Sequence, residues 1–158
     1  MSLDPFPSPP STPYSADRYQ TPAGVEDAFY EAFARLDLTL LVALWLPGER
    51  AVCIHPGGQL LRGSDEVLDG WRSIFNGAQS PTVEYRRLDA LSSETLAVHL
   101  VEERIRPHQA PAEAANRLIA TNVYLRQEGR WYLAEHHGSL PLIRPPRREV
   151  APEKPRLH

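Results

Sequence analysis

The hydrophobic period of the chain changes for good at Pro81, and that change limits the fold more than any other feature. Before it, apolar residues recur three and four positions apart, as on one face of a helix. After it they alternate, as on the faces of a strand. Helices gathered first and strands gathered last predict an α+β domain, with helices packed on one face of a mainly antiparallel sheet.

Thr21 followed by Pro22 marks a helix start, because threonine caps free N–H groups and proline at the first position forfeits none. Val25, Ala28, Phe29, Ala32 and Leu36 supply the apolar stripe. Asp37 caps a second, short helix with Leu40, Leu41, Leu44 and Trp45, stopped by Pro47-Gly48. Ala51 to Ile54 and Gln59 to Arg62 flank His55-Pro56-Gly57-Gly58 as a small hairpin. Ser64, with Asp65 and Glu66 behind it, starts a third helix whose stripe is Val67, Leu68, Trp71, Ile74 and Phe75. Thr82–Leu91, Thr95–Arg106, Asn116–Gln127 and Arg130–Ser139 then form an antiparallel meander.

The 158 residues suit one core. Ten of the 16 prolines lie in the first 20 and last 18 residues. The expected division is therefore a flexible Pro-rich tail over 1–20, a domain over 21–140, and a flexible Pro/Arg-rich tail over 141–158. Residues 21–140 hold 11 basic and 16 acidic side chains, a net of −5, which argues against nucleic acid as the main partner. No apolar run approaches the roughly 20 residues of a membrane span, and the first residues carry no leader pattern, so a cytoplasmic protein is expected. With Cys53 as the single cysteine, no internal disulfide forms. A phosphate loop, a nucleophile elbow and an HExxH helix are all missing, and no cofactor is expected.

Several segments in this order are similar to the nuclear transport factor two-like superfamily, in its SnoaL-like and ketosteroid-isomerase-like bacterial branch. They are Asp37 with Leu44-Trp45, Cys53 through Gly58 with Gly63 and Trp71, Ala120 through Tyr124, and Gly129-Arg130-Trp131 with His136-His137-Gly138-Ser139. The resemblance spans about 21–140. It implies a cone-shaped fold, with helices closing over a curved sheet, a small-molecule pocket open at one end, and homodimers.

The candidate site follows from strand alternation and from that resemblance. On the last strand, Trp131, Leu133, Glu135, His137 and Ser139 share a face with the larger apolar load, which directs Glu135 and His137 inward. Asn122 and Tyr124 share a face on the strand before it. His55 ends a strand ahead of a turn, where a side chain reaches a cavity mouth or braces the turn. Trp45 and Trp71 serve the core or an aromatic wall. Glu103 is placed inward because SnoaL-like relatives commonly carry an acidic residue there. The candidates are thus His55, Glu103 and His137 for catalysis, and Trp45, Trp71, Asn122, Tyr124 and Glu135 for ligand contact. A metal site from His55, His137 and a carboxylate lacks diagnostic spacing, and none is expected.

Two functions fit these residues. One is proton transfer on an apolar or ring-containing organic substrate, of an isomerase, cyclase or dehydratase type. The other is a ligand-binding or dimeric association domain without catalysis.

Overall fold

The computed structural model describes residues 15–141. A short 3-10 turn, Ala16–Tyr19, leads into α1 (Pro22–Arg35) and α2 (Leu38–Leu44). The hairpin strands β1 (Val52–Ile54) and β2 (Leu60–Arg62) precede α3 (Ser64–Asn76). The long strands β3 (Thr82–Ser92), β4 (Leu96–Arg106), β5 (Asn116–Gln127) and β6 (Arg130–Ser139) complete the domain.

The helix starts are built as their residues require. The Thr21 hydroxyl accepts from Gly24 N at 3.0 Å, and Asp37 Oδ1 accepts from Leu40 N at 3.0 Å. Gly63, with φ of 79°, takes the cap position of α3 in place of Ser64. The Ser64 hydroxyl instead accepts from Gly48 N, tying the helix start to the loop after α2.

The six strands form one sheet in the order β2-β1-β6-β5-β4-β3. Neighbours are antiparallel except β1 with β6, which run parallel. The β5–β6 turn has Glu128 at φ 51° and Gly129 at φ 77°, the left-handed pair that matches the twist of a two-residue hairpin. The helices cover one face of the sheet. Val25, Phe29, Leu40, Leu41, Leu44, Trp45 and Trp71 pack there against Ala97, Val101, Tyr124 and Leu133. Burial of this apolar surface holds the two layers together at about 25 cal/mol per Å².

Two features depart from expectation. Tyr19 is buried in the core and Arg130 stacks over its ring at 3.8 Å, so ordered structure begins before residue 21. The rest of both expected tails, 1–14 and 142–158, lies outside the described residues. The second departure is in β6. Val123 pairs with Glu135 but Tyr124 pairs with Leu133, which leaves Ala134 as an extra residue, a β-bulge. Alternation is reset there. Trp131 and Leu133 face the helices, and past the bulge so do His136 and Gly138.

Candidate functional site

The bulge decides which side chains meet beneath the helices. His136 is buried, while His137 is exposed and Glu135 only half-buried. The inward placement of His137 and Glu135 is thereby corrected: both belong to the open face of the sheet. Of the two histidines expected together, His55 lies near His136 and not His137, the rings of His55 and His136 both meeting Trp71.

Four buried polar side chains form a chain across the concave face. Tyr30 of α1 donates its hydroxyl proton to Glu103 Oε1 at 2.7 Å. Asn122 Nδ2 donates to the same hydroxyl oxygen at 3.1 Å, and Asn122 Oδ1 lies 2.6 Å from His136 Nδ1. With the amide oriented this way, its oxygen only accepts, so His136 carries its proton on Nδ1. The bare Nε2 then faces Glu103 Oε1 at 4.0 Å.

Burial sets the charge state of this group. It pushes the Glu103 carboxyl up to about 7, with the Tyr30 hydrogen bond pulling the other way. It holds His136 down to about 3, helped by the neighbouring His55 and His137. The Tyr30 phenol is raised well beyond its ordinary value, by burial first and by Glu103 second. The site therefore holds a carboxyl raised toward neutrality beside an imidazole that is neutral at neutral pH.

Aromatic rings wall the chain. Phe29 lies 5.1 Å from the His136 ring and edge-on to Trp71 at 5.5 Å. Trp71 also meets His55 edge-on at 4.7 Å. His55 is half-buried, its imidazole pKa lowered by burial, with Nε2 at 3.7 Å from Cys53 Sγ. The Cys53 thiol is itself pushed up to about 12 by burial, so it stays protonated. Gly70 lets α3 approach this corner, because a Cβ there would sit 2.6 Å from Leu61 Cδ1 and 3.7 Å from His55 Nε2.

A second buried cluster adjoins the first. The Glu26 carboxylate, fully buried on α1, accepts from the Tyr124 hydroxyl at 2.8 Å and lies 2.7 Å from His99 Nδ1. Its other oxygen takes Arg87, at 2.9 Å from Nε and 2.7 Å from an Nη. Tyr124, expected at a ligand, is thus committed to Glu26. Trp45 sits deep in the core beside Leu133 rather than in this group.

Of the expected residues, the fold brings Glu103, Asn122, Trp71 and His55 toward one another. Tyr30, His136, Glu26, His99 and Arg87 are additions. Glu26 and Tyr30 stand four apart beside the apolar stripe of α1, a spacing that places both on the same flank. Among the described residues, no three histidine, cysteine or carboxylate side chains gather closely enough for a metal ion. None of the described helices is long and apolar enough to cross a membrane.

Residues 24–143 match the profile of the SnoaL-like domain. The chain belongs to the SnoaL-like family. Among solved structures, this SnoaL-like chain is similar to a protein from Thiobacillus denitrificans provisionally described as a calcium/calmodulin-dependent protein kinase type II association domain. The TM-score is 0.74 and the identity 30%, over 78% of this chain and 98% of that one. It is also similar to a protein of the NTF2-like family from Streptomyces avermitilis, provisionally described as a dehydratase, with TM-score 0.68 and 29% identity over 75% and 92% of the two chains. Among curated proteins it is 28% identical over 124 residues to the F-box protein SKIP8 of Arabidopsis thaliana. That match takes in 75% of this chain and 49% of the plant protein, so the SnoaL-like chain spans about half the length of this relative. The nuclear transport factor two-like superfamily and the α+β cone expected from the sequence are both established by these matches.

Proposed function

We propose that the chain catalyses proton transfer on a small apolar or ring-containing organic molecule, with Glu103 as the group that takes and returns the proton. One observation carries this reading: Glu103 is a buried carboxyl with a pKa near 7, oriented by Tyr30 at 2.7 Å. A general base works best when its pKa lies near the working pH. The carboxylate form removes a proton from a carbon next to a carbonyl; the acid form returns it at the neighbouring position or to a leaving hydroxyl. Tyr30 and Asn122 position the carboxyl. Neutral His136 keeps a lone pair beside it. In this reading His55, half-buried beside Trp71, contacts the substrate. The likeness to a Streptomyces protein described as a dehydratase supports the same class of chemistry.

The test is exchange of carbon-bound protons in D₂O, followed by NMR over a panel of cyclic ketones and β-hydroxy carbonyl compounds. Catalysed exchange should fall about 10²- to 10⁴-fold in Glu103→Gln, the usual contribution of a general base. Unchanged exchange in that variant, with the fold intact, overturns the proposal.

A second reading, an association domain, rests on a different observation. On the open face of the sheet, Leu91 is 69% exposed, Leu96 42% and Leu100 38%, with half-buried Val98, Val123 and Leu125 around them. Contiguous apolar surface of this kind marks an interface. A homodimer across this face is the proposed assembly, and the Thiobacillus relative described as an association domain supports it. Light scattering should give a dimer mass that Leu100→Glu converts to a monomer. A monomer at micromolar concentration in the unmodified chain removes the dimer.

A further inference from the structure

The open face of the sheet carries a cluster of charged side chains around Glu102, at the end of β4 opposite the apolar patch. The Glu102 side chain points away from the helices yet is only 6% exposed. Arginine side chains shield it, rather than the protein interior. Arg117 of β5 places Nε and an Nη each at 2.7 Å from Glu102 Oε2. Arg104 Nε reaches Oε1 at 3.3 Å, and Arg86 of β3 stands off at 3.7 Å. Arg117 takes Oε2 while Arg104 bonds Oε1 with Arg86 beyond it, and these guanidinium groups, Arg117 first, hold the Glu102 carboxyl below its ordinary pKa.

Arg104 donates to Glu102 through Nε, and Arg86 stands at ion-pair distance without a hydrogen bond to it, so each turns the rest of its guanidinium group to solvent. Their side chains stay 57% and 72% exposed. They converge on a groove of about 390 Å³ lined by Glu84, Tyr85, Arg86, Glu102 and Arg104. That volume falls in the range of small-molecule sites. Two guanidinium groups side by side at a concavity match planar or tetrahedral oxyanions, which accept paired N–H bonds.

We propose that this groove binds a small organic oxyanion, with a carboxylate or phosphate group seated between Arg86 and Arg104 and Glu102 acting as their positioning residue. Glu84, on the same rim, opposes the bound charge and tunes affinity downward. The site is separate from the Glu103 cluster, because consecutive residues 102 and 103 face opposite sides of the sheet.

Citrate and inorganic phosphate serve as the two probes, titrated into the intact chain at low ionic strength with chloride at matched ionic strength as reference. The side-chain Nε–Hε signals of Arg86 and Arg104 report occupancy, and calorimetry gives the affinity. Saturable shifts with citrate identify a carboxylate site, and saturable shifts with phosphate identify a phosphate site. Arg86→Gln and Arg104→Gln should each weaken binding about 10-fold or more, as for the loss of a charged hydrogen bond. Glu84→Gln should tighten it severalfold, an opposite sign that general destabilisation does not produce. Shifts that never saturate, that chloride reproduces, or that remain the same in Arg104→Gln and Glu84→Gln overturn the proposal.

Discussion

His136 Nδ1 lies 2.6 Å from Asn122 Oδ1, and this contact determines which ring nitrogen is turned toward Glu103. Because the amide nitrogen of Asn122 is already donating to Tyr30, its oxygen must accept, and the imidazole proton is fixed on Nδ1. The expected outcome in ¹⁵N NMR is a neutral His136 with a protonated Nδ1 and a bare Nε2, unchanged from neutral pH until the pH nears 3. A ring protonated at Nε2 at neutral pH contradicts the arrangement.

The two buried titrating groups act on stability in opposite directions. Glu103 is raised from 4.5 to about 7, so the native state binds its proton more tightly than the unfolded chain does. Its contribution is full below pH 4.5 and is lost as pH rises through 7, a change of roughly 3 kcal/mol. His136 is lowered from 6.5 to about 3, so its contribution is present above pH 6.5 and lost as pH falls toward 3. Between pH 4.5 and 6.5 the two effects offset each other. Urea unfolding across this range should show Glu103→Gln becoming more stable as pH rises, and His136→Asn becoming less stable. Parallel pH profiles for the unmodified chain and both variants would refute the assignment.

The bulge at Ala134 makes two adjacent histidines unequal. His137→Ala changes an exposed side chain and should alter stability by no more than about 0.5 kcal/mol. His136→Ala leaves Asn122 Oδ1 without its partner and opens space beside Phe29, at a cost of about 2–4 kcal/mol. Chemical denaturation of the two variants decides the point, and a larger loss in His137→Ala than in His136→Ala would mean that the strand keeps strict alternation.

How the sequence reads bears directly on that residue. The four long strands are legible to within one residue, because alternation between clear turn signals is a strong pattern. The three helices follow from their apolar stripes, α1 and α2 also from their caps, and the hairpin from its Pro-Gly-Gly turn. His136 was not legible, since alternation looks the same on both sides of a bulge and Ala134 has nothing in its chemistry to announce one. Extending the face of Trp131 and Leu133 therefore selected Glu135 and His137. Tyr30 and Glu26 escaped for another reason: a stripe search on α1 keeps the apolar positions and passes over polar residues on its flank. Glu103, Asn122, His55 and Trp71 were legible because the strand ends and the resemblance placed them together. The ordered turn at Ala16–Tyr19 was hidden by the proline content around it.

Glu26 is a charge in the core that depends on Arg87. Removing that partner with Arg87→Met leaves the carboxylate with His99 and the Tyr124 hydroxyl, and should destabilise the domain by about 3 kcal/mol. Tyr124→Phe removes one neutral donor and should cost about 1–2 kcal/mol. Denaturation midpoints give both values. A loss on Arg87→Met smaller than that on Tyr124→Phe would show that the ion pair is not what stabilises Glu26.

Proton transfer by Glu103 requires a carboxyl that changes charge near neutral pH. Its titration by carboxyl ¹³C NMR, with the signal assigned by comparison with Glu103→Gln, is the most direct measurement. A midpoint near 7 is predicted from its burial against Tyr30. A midpoint near the ordinary 4.5 would show a carboxylate already charged throughout the working range, and would contradict the account.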